Sequence, residues 1–94
     1  MTWRVQLFRQ AAQTFRRLAP PQRRRLEAAI DAFANDPRPS GKLVKAIQGT
    51  EEAFLRYRVG DYRILYEVFD QDRTVLILGI MHRRDLEDWL RRQR

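Results

Sequence analysis

The chain has 94 residues, enough for one domain and too few for a second, and its 44% apolar and 11% aromatic content is that of a folded globule rather than a disordered segment. It lacks cysteine, which excludes disulfides, thiolate metal sites and a cysteine nucleophile. No N-terminal stretch resembles a signal peptide and no run approaches a membrane span, so a cytoplasmic protein with no membrane role is expected. Net charge is +7, and seventeen of the nineteen cations are arginine. Arginine carries a planar fork that grips phosphate in two places and stacks on bases. RNA, DNA or an acidic protein is the partner class this composition suits, with an arginine-rich proteome and mostly solvated charges as the alternative for the total.

In chain order, Trp3, Val5 and Leu7 alternate with Arg4, Gln6 and Phe8, the period of a strand. From about Gln10 the period changes, and Ala11, Phe15 and Leu18 share one helical face. Pro20-Pro21 ends that helix and can open the next. Leu26, Ala29, Ile30 and Phe33 form the apolar stripe of the second helix. Arg23, Arg24 and Arg25 crowd its start, where the helix dipole disfavours cations, and they read as a solvated face, with auxiliary nucleic-acid or antitoxin contact as the alternative. Asn35-Asp36-Pro37-Arg38-Pro39-Ser40-Gly41 is a loop. Lys42 to Gly49 leads towards the sheet with weak periodicity, anchored by Leu43 and Ile47.

A hairpin is expected from about Phe54 to Phe69. Gly60-Asp61 is its two-residue turn, with glycine first as a type II′ turn requires. If Val59 and Tyr62 flank the turn, Arg58 faces Arg63 across the strands and Arg56 lies one step along the same face. Leu55, Tyr57, Val59, Tyr62, Ile64 and Tyr66 then form a core face. Like charges directly opposite destabilise a strand pair, so the arginine face is expected to bind an anion. Asp70-Gln71-Asp72 is a second turn, and Thr74 to Met81 is a nearly unbroken apolar strand covered on both faces. After His82-Arg83-Arg84-Asp85, Leu86, Trp89 and Leu90 mark a short amphipathic helix. The expected fold is α+β, β-α-α-β-β-β with a short C-terminal helix, two N-terminal helices packing on a mostly antiparallel sheet.

Most catalytic constellations are missing. No phosphate-cradling glycine loop occurs, one histidine cannot build a multi-histidine metal site, and Ser40 has no nucleophile-elbow context. Asp85, Glu87 and Asp88 spread around a helix and read as caps or ion pairs. What remains is a cationic set: Arg56, Arg58 and Arg63 on the hairpin, His82 and Arg83 leaving the last strand. RNA brings its own nucleophile in the 2′-OH, so such a set can orient the reacting groups and stabilise developing charge. Guanidinium is a poor base, and histidine is the residue type suited to proton transfer near neutral pH. His82 is therefore the candidate proton-transfer group, with a strand-end histidine donating to a backbone carbonyl as the structural alternative. Tyr62 and Tyr66 read as core.

The element order, Asn35-Asp36-Pro37-Arg38-Pro39, the segment Arg56-Tyr57-Arg58-Val59-Gly60-Asp61-Tyr62-Arg63-Ile64-Leu65-Tyr66 and His82-Arg83-Arg84-Asp85 together resemble the RelE/ParE superfamily of toxins from bacterial type II toxin–antitoxin pairs. The resemblance spans nearly the whole chain. It implies a single toxin domain over 1–94, neutralised by a small antitoxin with an acidic segment and reaching operator DNA only through it. RelE-like members cut mRNA in the ribosomal A site without metal or cofactor, leaving a 2′,3′-cyclic phosphate; ParE-like members inhibit DNA gyrase. A toxin that has lost catalysis and acts as co-repressor with its antitoxin is a further alternative. By the same resemblance Arg63 holds the scissile phosphate, Arg83 stabilises charge and protonates the leaving group, and Arg56 takes the place of a catalytic lysine. Arg58, Lys42, Lys45 and Arg84 are the accompanying RNA-binding candidates. Phe54 stands where a second lysine is found, and Glu87 or Trp89 where the C-terminal tyrosine is found.

Overall fold

The computed structural model describes residues 2–37, 44–47 and 54–92, with 44–47 and 54 given by backbone alone. Strand β1 (Arg4–Leu7) leads into helices α1 (Arg9–Arg17) and α2 (Pro20–Phe33). Strands β2 (Val44–Ile47), β3 (Phe54–Val59), β4 (Tyr62–Phe69) and β5 (Thr74–His82) follow, then a 3₁₀ turn (Arg83–Asp85) and helix α3 (Leu86–Arg92). The sheet has five strands in the order β1-β5-β4-β3-β2. The β1–β5 pairing is parallel and the others are antiparallel. The expected α+β architecture holds, with β2 added. That strand is only four residues long, and Lys-Ala between Val44 and Ile47 gives it little strand patterning. Lys42, Leu43 and the Arg38–Gly41 part of the expected loop lie outside the described residues.

The hairpin register is the expected one. Val59 pairs with Tyr62, Arg58 with Arg63 and Tyr57 with Ile64. Gly60 opens the turn with a left-handed φ of 58°, which glycine adopts without a Cβ penalty. Leu55, Tyr57, Val59 and Tyr62 pack against the buried Ile64 and Tyr66, and α1 and α2 cover this face through Ala11, Leu26, Ala29 and Phe33. Phe33 stacks on Tyr66 at 4.5 Å between ring centres and meets Tyr57 edge-on at 5.2 Å. The Tyr66 hydroxyl donates to the Pro37 carbonyl at 2.8 Å, so the loop after α2 is tied to the core.

The other face carries a second, smaller core. Leu65, Leu78 and Met81 are buried there beneath Leu86, Trp89 and Leu90. The arginine face of the hairpin is thus not wholly polar, because Leu65 lies beside Arg56 in the register and belongs under α3. Leu65 pairs with Gly79 while Tyr66 pairs with Ile77, so Leu78 is an extra residue that bulges β5. Gly79 lies directly under the indole: a Cβ there would stand 2.7 Å from Trp89 Nε1 and 2.9 Å from Met81 Cε. Gly79→Ala is therefore expected to push Trp89 outward and to cost about 1–3 kcal/mol by overpacking. Red-shifted emission of Trp89 in a Trp3→Phe background, with denaturant unfolding, checks this; unchanged emission and stability would refute it.

Candidate nucleic-acid interface

Period-two alternation makes the site. Residues flanking Tyr57, Tyr62 and Ile64 must point away from the helix-covered core, and these are Arg56, Arg58 and Arg63. Arg58 sits directly opposite Arg63, and Met81 of β5 is the partner of Arg63 on the other side. The guanidinium of Arg63 curls back over the turn, where Nη1 donates to the carbonyls of Gly60 at 2.9 Å and Tyr62 at 2.8 Å. Partial burial pushes its pKa down, and the nearby charges of Arg58, Arg56 and Arg83 push it the same way; Asp61 opposes them. The charged form of Arg63 is thus less favoured in the folded protein than in the unfolded chain. Relief of that cost comes only in strong alkali, so at neutral pH the charge opposes folding. An anion bound among these side chains would reverse the effect.

Arg83 joins them from the 3₁₀ turn. Its backbone N–H donates to the Asp61 carbonyl at 2.7 Å, and its Nε lies 3.8 Å from Asp61 Oδ1. Both side chains are exposed, so the ion pair contributes at most about 1 kcal/mol. Its consequence is positional: the strand end is fastened to the hairpin tip. The structure thus brings together Arg56, Arg58, Arg63 and Arg83. Lys45 is the register partner of Arg56, with the backbone alone described, and Lys42 lies outside the described residues.

His82 and Arg84 are placed differently. His82 pairs with Tyr62 across β4 and β5, and its ring meets the Tyr62 ring at 5.7 Å, on the side that faces α1. It lines a groove of about 450 Å³ between α1 and α3, together with Arg17, Arg84, Asp88 and Trp89. Its Nδ1 accepts the backbone N–H of Arg84 at 3.3 Å. The hydrogen bond therefore runs opposite to the donation expected of a structural histidine here: strand β5 ends at His82, and the free N–H groups at the start of the following turn need an acceptor. An Nδ1 so engaged has to let go of the Arg84 amide before it can carry a proton.

Two residues at the tip, Asp61 and Arg25, are not distinguished by the sequence as site residues: Arg25 is there only one of three arginines with auxiliary contact as an alternative. Asp61 reads only as turn chemistry until Arg83 is seen beside it. Arg25 reads as one of three solvated arginines, but α2 begins at Pro20, so Arg24 and Arg25 lie beyond the first turn. Among the described residues no group of three metal-ligating side chains comes together, and no helix is long and apolar enough to cross a membrane.

Comparison with known proteins places this geometry. Residues 5–87 match the family model described as the ParE toxin of the type II toxin–antitoxin system parDE. The chain is 26% identical over 84 residues to a Methanocaldococcus jannaschii protein whose name assigns it as toxin RelE1, covering 88% of this chain and 92% of that one. The toxin fold in the RelE–RelB complex of Pyrococcus horikoshii OT3 superposes with a TM-score of 0.76 at 32% identity, over 88% of this chain and 97% of that one. A RelB–RelE complex from Methanococcus jannaschii gives a TM-score of 0.69 at 25% identity, over 88% and 95%. With a family model covering most of its length and a fold shared with these toxins, the chain belongs to the RelE/ParE superfamily of type II toxin–antitoxin toxins.

Proposed function

We propose that this toxin is a ribosome-dependent endoribonuclease that cuts mRNA without metal and so stops translation. The observation that carries the reading is that Arg56 and Arg63 share one sheet face and Arg83, held at the hairpin tip by Asp61, adds its charge to theirs at an electrostatic cost to the folded chain. In the reaction the 2′-oxygen attacks the adjacent phosphorus and loses its proton. The P–O5′ bond breaks, O5′ gains a proton, and a 2′,3′-cyclic phosphate and a 5′-OH result. Arg63 and Arg56 hold the scissile phosphate and Arg83 stabilises charge on the oxygens as it grows. The solved complexes of the relatives with RelB support a cognate antitoxin as partner, and the +7 charge suits an acidic segment of it.

Primer-extension mapping of mRNA in cells expressing the toxin tests the reading, beside a gyrase supercoiling assay. Cuts at in-frame A-site positions support it. Intact mRNA with inhibited supercoiling moves the function to the gyrase reading, which the ParE description of the matched family model favours.

His82 has two separable roles to test. As a proton-transfer group it must release Nδ1 from the Arg84 amide; as a cap it must keep it. Asparagine can accept that N–H but cannot carry protons. His82→Asn is expected to cut within about threefold of wild type, while His82→Ala loses the cap at about 0.5–2 kcal/mol and cuts more slowly. A loss of tenfold or more in the stably folded Asn variant would restore His82 as the acid–base group.

A further inference from the structure

The hairpin tip has a second basic side that the cleavage chemistry does not use. Arg25, from α2, reaches over the turn: a Cβ on Gly60 would stand 3.3 Å from its Nη1. Arg25 and Arg58 together line a groove of about 470 Å³ between α2 and β3, with Ala28, Ala29 and Ala32 on the helix side and Tyr57 and Val59 on the strand side. Alanines on the facing helix leave the space open. Among the described residues neither arginine makes an ion pair; the tip's carboxylate, Asp61, is engaged by Arg83. Alternation sends Arg58 to the sheet face beside Arg63, and at the strand end next to Gly60 it also borders this groove. Arg83 and Arg58 thus lie within electrostatic reach of Arg63, and Arg58 shares the lining of the α2–β3 groove with Arg25.

We propose that Arg25 and Arg58 form a second phosphate seat, holding a backbone phosphate of the mRNA next to the scissile one as the strand passes from the sheet face over the hairpin tip into the α2–β3 groove. Two guanidinium groups with no ion pair among the described residues, at the hairpin tip that carries Arg63, suit a polyanion with regularly spaced charges. The alanine-lined groove gives the adjoining nucleoside room. The inference rests on the nuclease reading for its substrate and goes beyond it in naming a helix residue and a direction for the strand.

The test uses the full chain and ribosomes programmed with an mRNA carrying 2′-deoxy sugars at the A-site codon, which binds but cannot be cut. Arg25→Gln is expected to weaken binding by about tenfold, as for a lost hydrogen bond between charged groups, and to lower the salt slope by about one. Arg4→Gln, which removes the same charge from β1 at the end of the sheet away from the tip, should stay within twofold. A neutral methylphosphonate beside the A-site codon should weaken wild type but leave Arg25→Gln unchanged. Thermal melts confirm that the variants are folded. If Arg25→Gln binds like Arg4→Gln, or no methylphosphonate position couples to it, the second seat is refuted. If Arg25→Gln weakens antitoxin binding alone, the groove takes an acidic peptide and the proposal is again overturned. Wild type that binds this complex but leaves all-ribose mRNA intact removes the nuclease reading while the seat stands or falls on affinity. Wild type that fails to bind removes both.

Discussion

Arg63→Ala is expected to slow mRNA cleavage on programmed ribosomes by about 10²–10³-fold, the usual loss when one preorganised donor to a developing charge is removed. Stability should hold within about 1 kcal/mol, because the side chain lies outside both cores. The sign of the small stability change is itself informative. Burial and the charges of Arg58, Arg56 and Arg83 all disfavour the Arg63 cation, so removing it relieves repulsion. Its two hydrogen bonds, to the carbonyls of Gly60 and Tyr62, are lost in exchange. The Gly60 carbonyl is exposed and the Tyr62 carbonyl only part-buried, so water can largely replace the donor and the cost stays low. Saturating rates and urea unfolding of the same preparation check both halves. A variant that cuts normally refutes the phosphate-holding role, and one that unfolds readily makes Arg63 a structural residue.

The hairpin was legible from the sequence because two independent signals agreed. Gly60-Asp61 set the turn, and strict alternation on either side set the faces; a slip of one residue would have sent Tyr57, Ile64 and Tyr66 to the arginine side. Strand β5 was legible as covered on both faces, since its apolar run has no polar alternate. Three things were not legible. The short β2 lacks a pattern of its own and exists by pairing with β3. The bulge at Leu78 is invisible in composition, yet it decides that Gly79 lies under Trp89 and that α3 packs close. The setting of His82 follows from register: its partner is Tyr62, a core-face residue, whereas Arg63 pairs one step earlier with Met81. Between His82 and Arg83 the strand gives way to a 3₁₀ turn, and the two side chains meet neighbouring residues of the hairpin, Tyr62 and Asp61. Arg25 was hidden for a related reason, since nothing in the chain says which of three consecutive arginines meets the hairpin tip.

The second large effect is expected at Phe33, far from any phosphate. Its ring is fully buried, stacked on Tyr66 and edge-on to Tyr57. Truncating such a residue to alanine costs about 3–5 kcal/mol, as transferred area is lost and a cavity is left. Native domains are stable by only about 5–15 kcal/mol, so this is a large share, and melting should fall by more than about 10 °C. Function should respond in the opposite sense to Arg63→Ala. Tyr57 lies between Arg56 and Arg58 on β3, but the strand register that aims those arginines is held by backbone pairing with β4 and by the Gly60 turn. Phe33→Ala, assayed cold where it remains folded, is therefore expected to cut mRNA at close to the wild-type rate per folded molecule. Calorimetry together with cleavage at low temperature provides the check. A melting point within a few degrees of wild type would mean that the Phe33–Tyr66 stack is not what holds α2 to the sheet. Full stability loss accompanied by a dead site in the folded fraction would mean that packing beneath Tyr57, and not register alone, sets where Arg56 and Arg58 point.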